Sequence, residues 1–213
     1  MNAPIDYTLY LATDQSFLRG RDLAAVVEEA ILNGVTLVQL REKAADGREF
    51  FEIGRRVLAV TRRLGVPLII NDRVDVMLAL EAEGIHVGHD DLPLERVRAL
   101  ARGRIVGYSV KSAAEAVFAE RAGADYLGVG PVFATATKAD AGEGLGLDGL
   151  RRIVAATRLP CVAIGGVSPA NAAEVTATGV AGCCAISAIL AAPDLATAVR
   201  AFRAAAREHS TKR

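Results

Sequence analysis

The chain is 213 residues long, enough for one large core and short for two ordinary domains. Its 52% hydrophobic content, 20 glycines and lack of tryptophan suit an α/β protein built on buried aliphatic strands. With a formal net charge of +0, nothing in the bulk electrostatics suggests nucleic acid or an acidic membrane surface as a partner.

Short apolar runs alternate with stretches of helical spacing. Strands are expected at 8–12, 35–40, 67–70, 85–87, 105–108, 126–129, 161–164 and 182–186. Helices are expected near 21–33, 47–64, 73–82, 93–101, 112–122, 146–156, 169–178 and 194–208. Pro93 and Pro169 stand early in two of them, and Ser112 with Glu115 three residues on reads as an N-cap. Eight such βα units predict an α/β fold, a (β/α)8 TIM barrel. A doubly wound sheet would usually have fewer strands, and 11–20 carries no GxGxxG turn. With no linker or low-complexity tract, 1–213 reads as a single domain with a short basic tail at 209–213.

No apolar run approaches the ~18 residues of a membrane-spanning helix, and the first ten residues lack the regions of a signal peptide. Cys161, Cys183 and Cys184 lie in apolar, strand-like segments with no CxxC or Cys/His spacing. They read as reduced core residues of a cytoplasmic protein. Alanine-rich outer helices leave a homo-oligomer open.

In such barrels chemistry gathers at the C-terminal ends of the strands. After strand 2, alternation puts Gln39, Arg41 and Lys43 on one side, so an amide and two cations converge on the mouth. Asn71 and Asp72 follow strand 3, and Gly88, His89, Asp90 and Asp91 follow strand 4. Neighbouring strands are roughly 4.8 Å apart, so Asp72 and Asp91 can share a cation. Oxygen ligands from few protein groups favour Mg2+. Helix capping would account for either aspartate alone.

Strand 5 brings the hydroxyl of Ser109 to the rim, and strand 6 delivers a loop with Thr135, Ala136, Thr137 and Lys138. Gly165 and Gly166 after strand 7, with Ile186 and Ser187 after strand 8, match the usual phosphate site of this fold, though the glycine pair alone could be a tight turn. Two anion sites on one face suggest two phosphorylated substrates being joined. His86, within strand 4, reads as a hydrogen-bonded core residue.

The segments YLATD (10–14), VQLREK (38–43), INDRVDVMLAL (70–80), GIHVGHDDLP (84–93), GYSVKS (107–112), ADYLGVGPVFATATKAD (124–140), VAIGGV (162–167) and AISAI (185–189) resemble the thiamine-phosphate synthase family in order and spacing. The resemblance implies a transferase of small-molecule substrates. It would join 4-amino-2-methyl-5-(diphosphooxymethyl)pyrimidine to a thiazole phosphate, or its carboxylated form, releasing pyrophosphate through a pyrimidine cation.

Carried over by position, Gln39, Leu40, Arg41, Glu42, Lys43 and Asn71 would hold the pyrimidine diphosphate. Asp72 and Asp91 would ligate Mg2+. Ser109 and Lys138 would contact the pyrimidine or its pyrophosphate, with Arg41, Lys43 and Lys138 stabilising leaving-group charge. Thr135, Ala136, Thr137, a glycine of the Gly165–Gly166 pair, Ile186 and Ser187 would bind the thiazole phosphate. The chain departs from the family pattern at His89, Lys111, Ala134 and Ala136. A thiazole tautomerase on the same barrel is the nearest alternative; it would use a histidine where Lys111 stands. A non-catalytic barrel binding thiazole or thiamine phosphate is the other.

Overall fold

Eight short strands, β1 (Leu9–Ala12), β2 (Leu37–Leu40), β3 (Leu68–Asn71), β4 (Gly84–Val87), β5 (Ile105–Val110), β6 (Tyr126–Val129), β7 (Cys161–Ala163) and β8 (Gly182–Ala185), pair in parallel and in chain order into a closed barrel. The computed structural model describes residues 5–135 and 144–207. The expected tail and the site residues Ala136, Thr137 and Lys138 lie outside the described residues.

Closure depends on β8 pairing with β1, where Leu9 stands beside Cys183 and Tyr10 beside Cys184. At the foot of that seam only glycine fits. A Cβ on Gly182 would sit 1.7 Å from the carbonyl oxygen of Tyr7.

The helices are α1 (Leu23–Asn33), α2 (Gly47–Arg63), α3 (Val74–Leu80), α4 (Leu94–Leu100), α5 (Ala113–Arg121), α6 (Gly146–Ala155), α7 (Ala172–Thr176), α8 (Ser187–Leu190) and α9 (Leu195–Arg207). Several start on the side chains expected of them: Asp22, Asp46 and Ser112 accept from the amides of Ala25, Glu49 and Glu115, satisfying donors a helix leaves open. Pro93 is the N-cap of α4. Pro169 instead precedes its helix, because the Asn171 side chain accepts from Ser168 N and closes a turn that delays α7 until Ala172.

Both faces of the strands are covered, one by the barrel interior and one by helices. Leu37, Leu40, Leu68, Ile69 and Ile70 are fully buried, each contributing about 1.5–3 kcal/mol relative to exposure. Among the described residues no helix is long and apolar enough to cross a membrane.

Candidate active site

The C-terminal ends of the strands surround a cavity of about 380 Å³. On the β2–β5 side its wall is Arg41, Lys43, Asn71, Asp72, Asp91 and Ser109; on the β6–β8 side it is Thr135, Gly165, Gly166, Ile186 and Ser187. Gln39, Leu40 and Glu42 are not part of this wall.

Of the three residues expected on one side beyond strand 2, Gln39 lies below the mouth, and β2 itself ends at Leu40. Gln39 points into the barrel, where its amide donates to the Tyr10 hydroxyl at 3.0 Å. Leu40 is fully buried and would be 3.4 Å from a Cβ on Gly54 of α2, so it faces the helix layer. Glu42 leans on the β1–α1 loop: Gln15 Nε2 donates to its Oε2 at 2.9 Å, while Oε1 is buried without a hydrogen-bond partner. Burial raises its pKa; the Gln15 hydrogen bond opposes that shift, and Asp14 and Glu49 add to it.

Arg41 and Lys43 do reach the mouth. Arg41 Nη1 lies 2.9 Å from Asp14 Oδ2, with 12% and 20% of the two side chains exposed, and its backbone amide donates to Thr13 Oγ1. Asp14 therefore aims the guanidinium. No role follows for it from the segment YLATD alone, although a carboxylate directly after β1 is a usable signal. Lys43 Nζ stands 3.7 Å from Asp72 Oδ2.

Neither aspartate is the N-cap residue of a helix. The N-cap residues of α3 and α4 are Arg73 and Pro93, without a side-chain capping bond. Asp72 sits at φ 64, a left-handed conformation rare outside glycine, asparagine and aspartate, and its amide donates to the His86 carbonyl of β4. Asp91 Oδ2 accepts from the Gly88 amide at 2.7 Å, closing the β4–α4 turn.

Carboxylates gather on the β4–β5 part of this rim. Burial first, and then Glu115, Glu95, Asp91 and Asp90, push the Tyr108 phenol above its usual range. Among the described residues no group of three or more His, Cys, Asp and Glu is arranged as a metal cage. Two carboxylates with an ammonium already beside one of them fit a cation held partly by water and substrate oxygens, the habit of Mg2+.

Opposite, Gly165 and Gly166 have φ of 90 and 68. A Cβ on either would come within 2.6 Å of Pro131 or 2.7 Å of Phe133 Cβ. Left-handed backbone and close packing thus coincide, and the pair seats the 131–135 segment as well as lining the cavity. Ser109, expected just past strand 5, lies inside β5, with its Oγ 2.9 Å from His86 Nε2. His86 is the hydrogen-bonded interior residue its strand position predicts, and it also reaches the wall, as do Lys111, one of the departures from the family pattern, Glu115 and Cys184; nothing in the local sequence singles out the last two.

The family model for thiamine monophosphate synthase matches residues 9–189. A thiamine-phosphate synthase of Chloroflexus aurantiacus is 50% identical over 200 residues, 94% of this chain and 93% of that one. One from Caldanaerobacter subterraneus subsp. tengcongensis is 55% identical over 187 residues, 87% of each. The solved thiamine phosphate pyrophosphorylase from Pyrococcus furiosus superposes with a TM-score of 0.88 at 42% identity, covering 96% of this chain and 97% of that one. With the barrel, the cavity and matches spanning nearly its whole length, the chain belongs to the thiamine monophosphate synthase family.

Proposed function

We propose that the chain joins 4-amino-2-methyl-5-(diphosphooxymethyl)pyrimidine to 4-methyl-5-(2-phosphooxyethyl)thiazole, or its carboxylated form, giving thiamine phosphate and pyrophosphate. The observation that carries this reading is one cavity with cations and carboxylates on its β2–β5 wall and hydroxyls and glycines on its β6–β8 wall. That division suits a diphosphate on one side and a monophosphate on the other.

The bond from the pyrimidine methylene carbon to the bridging oxygen breaks, and its electron pair leaves with pyrophosphate. The thiazole nitrogen lone pair then forms the new carbon–nitrogen bond. Arg41, aimed by Asp14, and Lys43 stabilise the charge that develops on the leaving group, with Lys138 assigned to the same task from its place in the TxTK motif. Asp72 and Asp91 would hold Mg2+. When bound, the ion neutralises pyrophosphate charge as a Lewis acid. Ser109 contacts the pyrimidine diphosphate. Thr135, Gly165, Gly166, Ile186 and Ser187 hold the thiazole phosphate, so both partners meet without the entropy cost of a chance encounter. Gln39, Leu40 and Glu42 support this site from behind its wall. We further read 1–213 as one cytoplasmic domain.

The test supplies purified protein with both substrates and magnesium and follows thiamine phosphate and pyrophosphate. Both should form together, and neither from one substrate alone. A protein that isomerises a thiazole carboxylate phosphate, or binds without turnover, would sink the proposal.

A further inference from the structure

Four side-chain hydrogen bonds run in series across the barrel interior. Gln39 Nε2 donates to the Tyr10 hydroxyl at 3.0 Å, and the Tyr10 and Tyr126 hydroxyls are 2.8 Å apart. The Tyr126 hydroxyl is 2.9 Å from His86 Nδ1, and His86 Nε2 is 2.9 Å from Ser109 Oγ. Gln39, Tyr10, Tyr126 and His86 are all buried, while half-buried Ser109 stands at the cavity wall.

Counting hydrogens gives the series a direction. A phenol carries one hydrogen, and burial holds both the Tyr10 and Tyr126 phenols far above their usual pKa, so each keeps it. For no buried hydroxyl hydrogen to be wasted, Tyr10, which accepts from the Gln39 amide, gives its own hydrogen to Tyr126. Tyr126, having accepted, spends its hydrogen on His86 Nδ1. A ring nitrogen that accepts bears no hydrogen, so a neutral imidazole carries its proton on Nε2 and donates to Ser109 Oγ. The Ser109 hydroxyl hydrogen is then left to point into the cavity.

Packing holds the rings in this arrangement. A Cβ on Gly107 would lie 2.2 Å from Tyr126 Cζ and 2.4 Å from His86 Nδ1, and one on Gly128 would lie 3.0 Å from His86 Cε1. Glycines on β5 and β6 thus make room for the two rings and for nothing larger.

We propose that Gln39, Tyr10 and Tyr126 set the tautomer of His86, and that His86 is the positioning residue that makes Ser109 a hydrogen-bond donor to an anionic oxygen of the pyrimidine diphosphate. The role of Ser109 rests on the activity proposed above; the tautomer does not.

The test begins with histidine nitrogen NMR on the full chain, with the His86 signals identified by their loss in His86→Leu. One form is expected, with a protonated Nε2 and an unprotonated Nδ1. Tyr126→Phe, which removes the donor to Nδ1, should bring in the second tautomer. In the two-substrate assay Ser109→Ala should lower kcat about 10²-fold, the usual loss for one donor to a developing oxyanion. His86→Leu should cost about as much, and combining it with Ser109→Ala should cost nothing more.

A proton on Nδ1 in the unsubstituted chain, a single tautomer persisting in Tyr126→Phe, or additive losses in the double variant would each overturn the proposal. Should His86→Leu fail to fold, the His86 signals are those that persist in both His89→Gln and His209→Gln, and the tautomer alone decides. Absence of turnover with a protonated Nε2 would refute the activity and leave the tautomer assignment standing.

Discussion

Gly107→Ala isolates the packing that seats the interior polar series. The added methyl would meet Tyr126 Cζ at 2.2 Å, Tyr126 Cε1 at 2.4 Å and His86 Nδ1 at 2.4 Å. None of these atoms is the free end of a flexible chain, since Tyr126 is 0% and His86 8% exposed. Overpacking of this kind costs about 1–3 kcal/mol, and displacing the Tyr126–His86 hydrogen bond adds about 0.5–1.5 kcal/mol. A total of about 1.5–4.5 kcal/mol corresponds to a Tm lowered by about 3–18 °C in a chain of this size. The control is Gly88→Ala, whose Cβ would find only Asp91 Oδ2 at 3.5 Å and Ser109 Cβ at 3.9 Å. Ordinary van der Waals contact there predicts a Tm within about 2 °C of the parent. Calorimetry or circular dichroism melts of the three proteins decide the matter. Equal midpoints for Gly107→Ala and the parent would show that β5 can yield at this point, and the reasoning would fail.

Asp72→Asn should lower turnover about 10²-fold or more, the few kcal/mol that a lost cation is worth. Its fold should persist, since asparagine tolerates the left-handed backbone at position 72; unchanged kcat would remove Asp72 from the metal site. Burial raises the folded-state pKa of Glu42. Ionisation then costs stability, a cost absent below the unfolded pKa of about 4.3 and growing as pH rises toward the folded value. Glu42→Gln should therefore raise Tm at neutral pH relative to the parent and lose that advantage in acid; a pH-independent difference would refute the burial argument. Burial pushes the Cys161 and Cys183 thiols up to about 11 and about 12, so neither should react with a thiol reagent in the folded chain at neutral pH. Labelling at either position, read by mass spectrometry, would contradict that.

Much of the fold was legible because strand and helix periods differ and the turn chemistry between them agreed with both. Every expected strand appears within a few residues of its place, and the rim residues that follow β3, β4, β7 and β8 reach the cavity. Reading failed where a side chain's direction depends on another strand. Alternation placed Gln39 with Arg41 and Lys43 but not its depth, which its bond to Tyr10 sets, and β2 stops at Leu40, before 41 and 43. Their directions come from Asp14 and Asp72, on β1–α1 and β3–α3, partners invisible to local pattern. Capping looked sufficient for Asp72 and Asp91 because both precede helices; the observed N-caps one and two residues later remove that explanation.

The interior itself raises a question of cost. A barrel of this kind is ordinarily filled by branched aliphatic side chains, yet four polar side chains, from β1, β2, β4 and β6, occupy the space here. Burying such groups is unfavourable unless every one is hydrogen-bonded, and exchanging hydrogen-bonded partners for apolar groups of the same shape can be nearly neutral or stabilising. Stability alone therefore gives no reason to prefer the polar series. What an apolar layer could not do is impose a direction on a hydrogen bond at the cavity wall. Because each phenol has one hydrogen to give, the orientation of the Gln39 amide on β2 is felt at Ser109 on β5, across the width of the barrel. Gln39 can thus matter to the site without lining it.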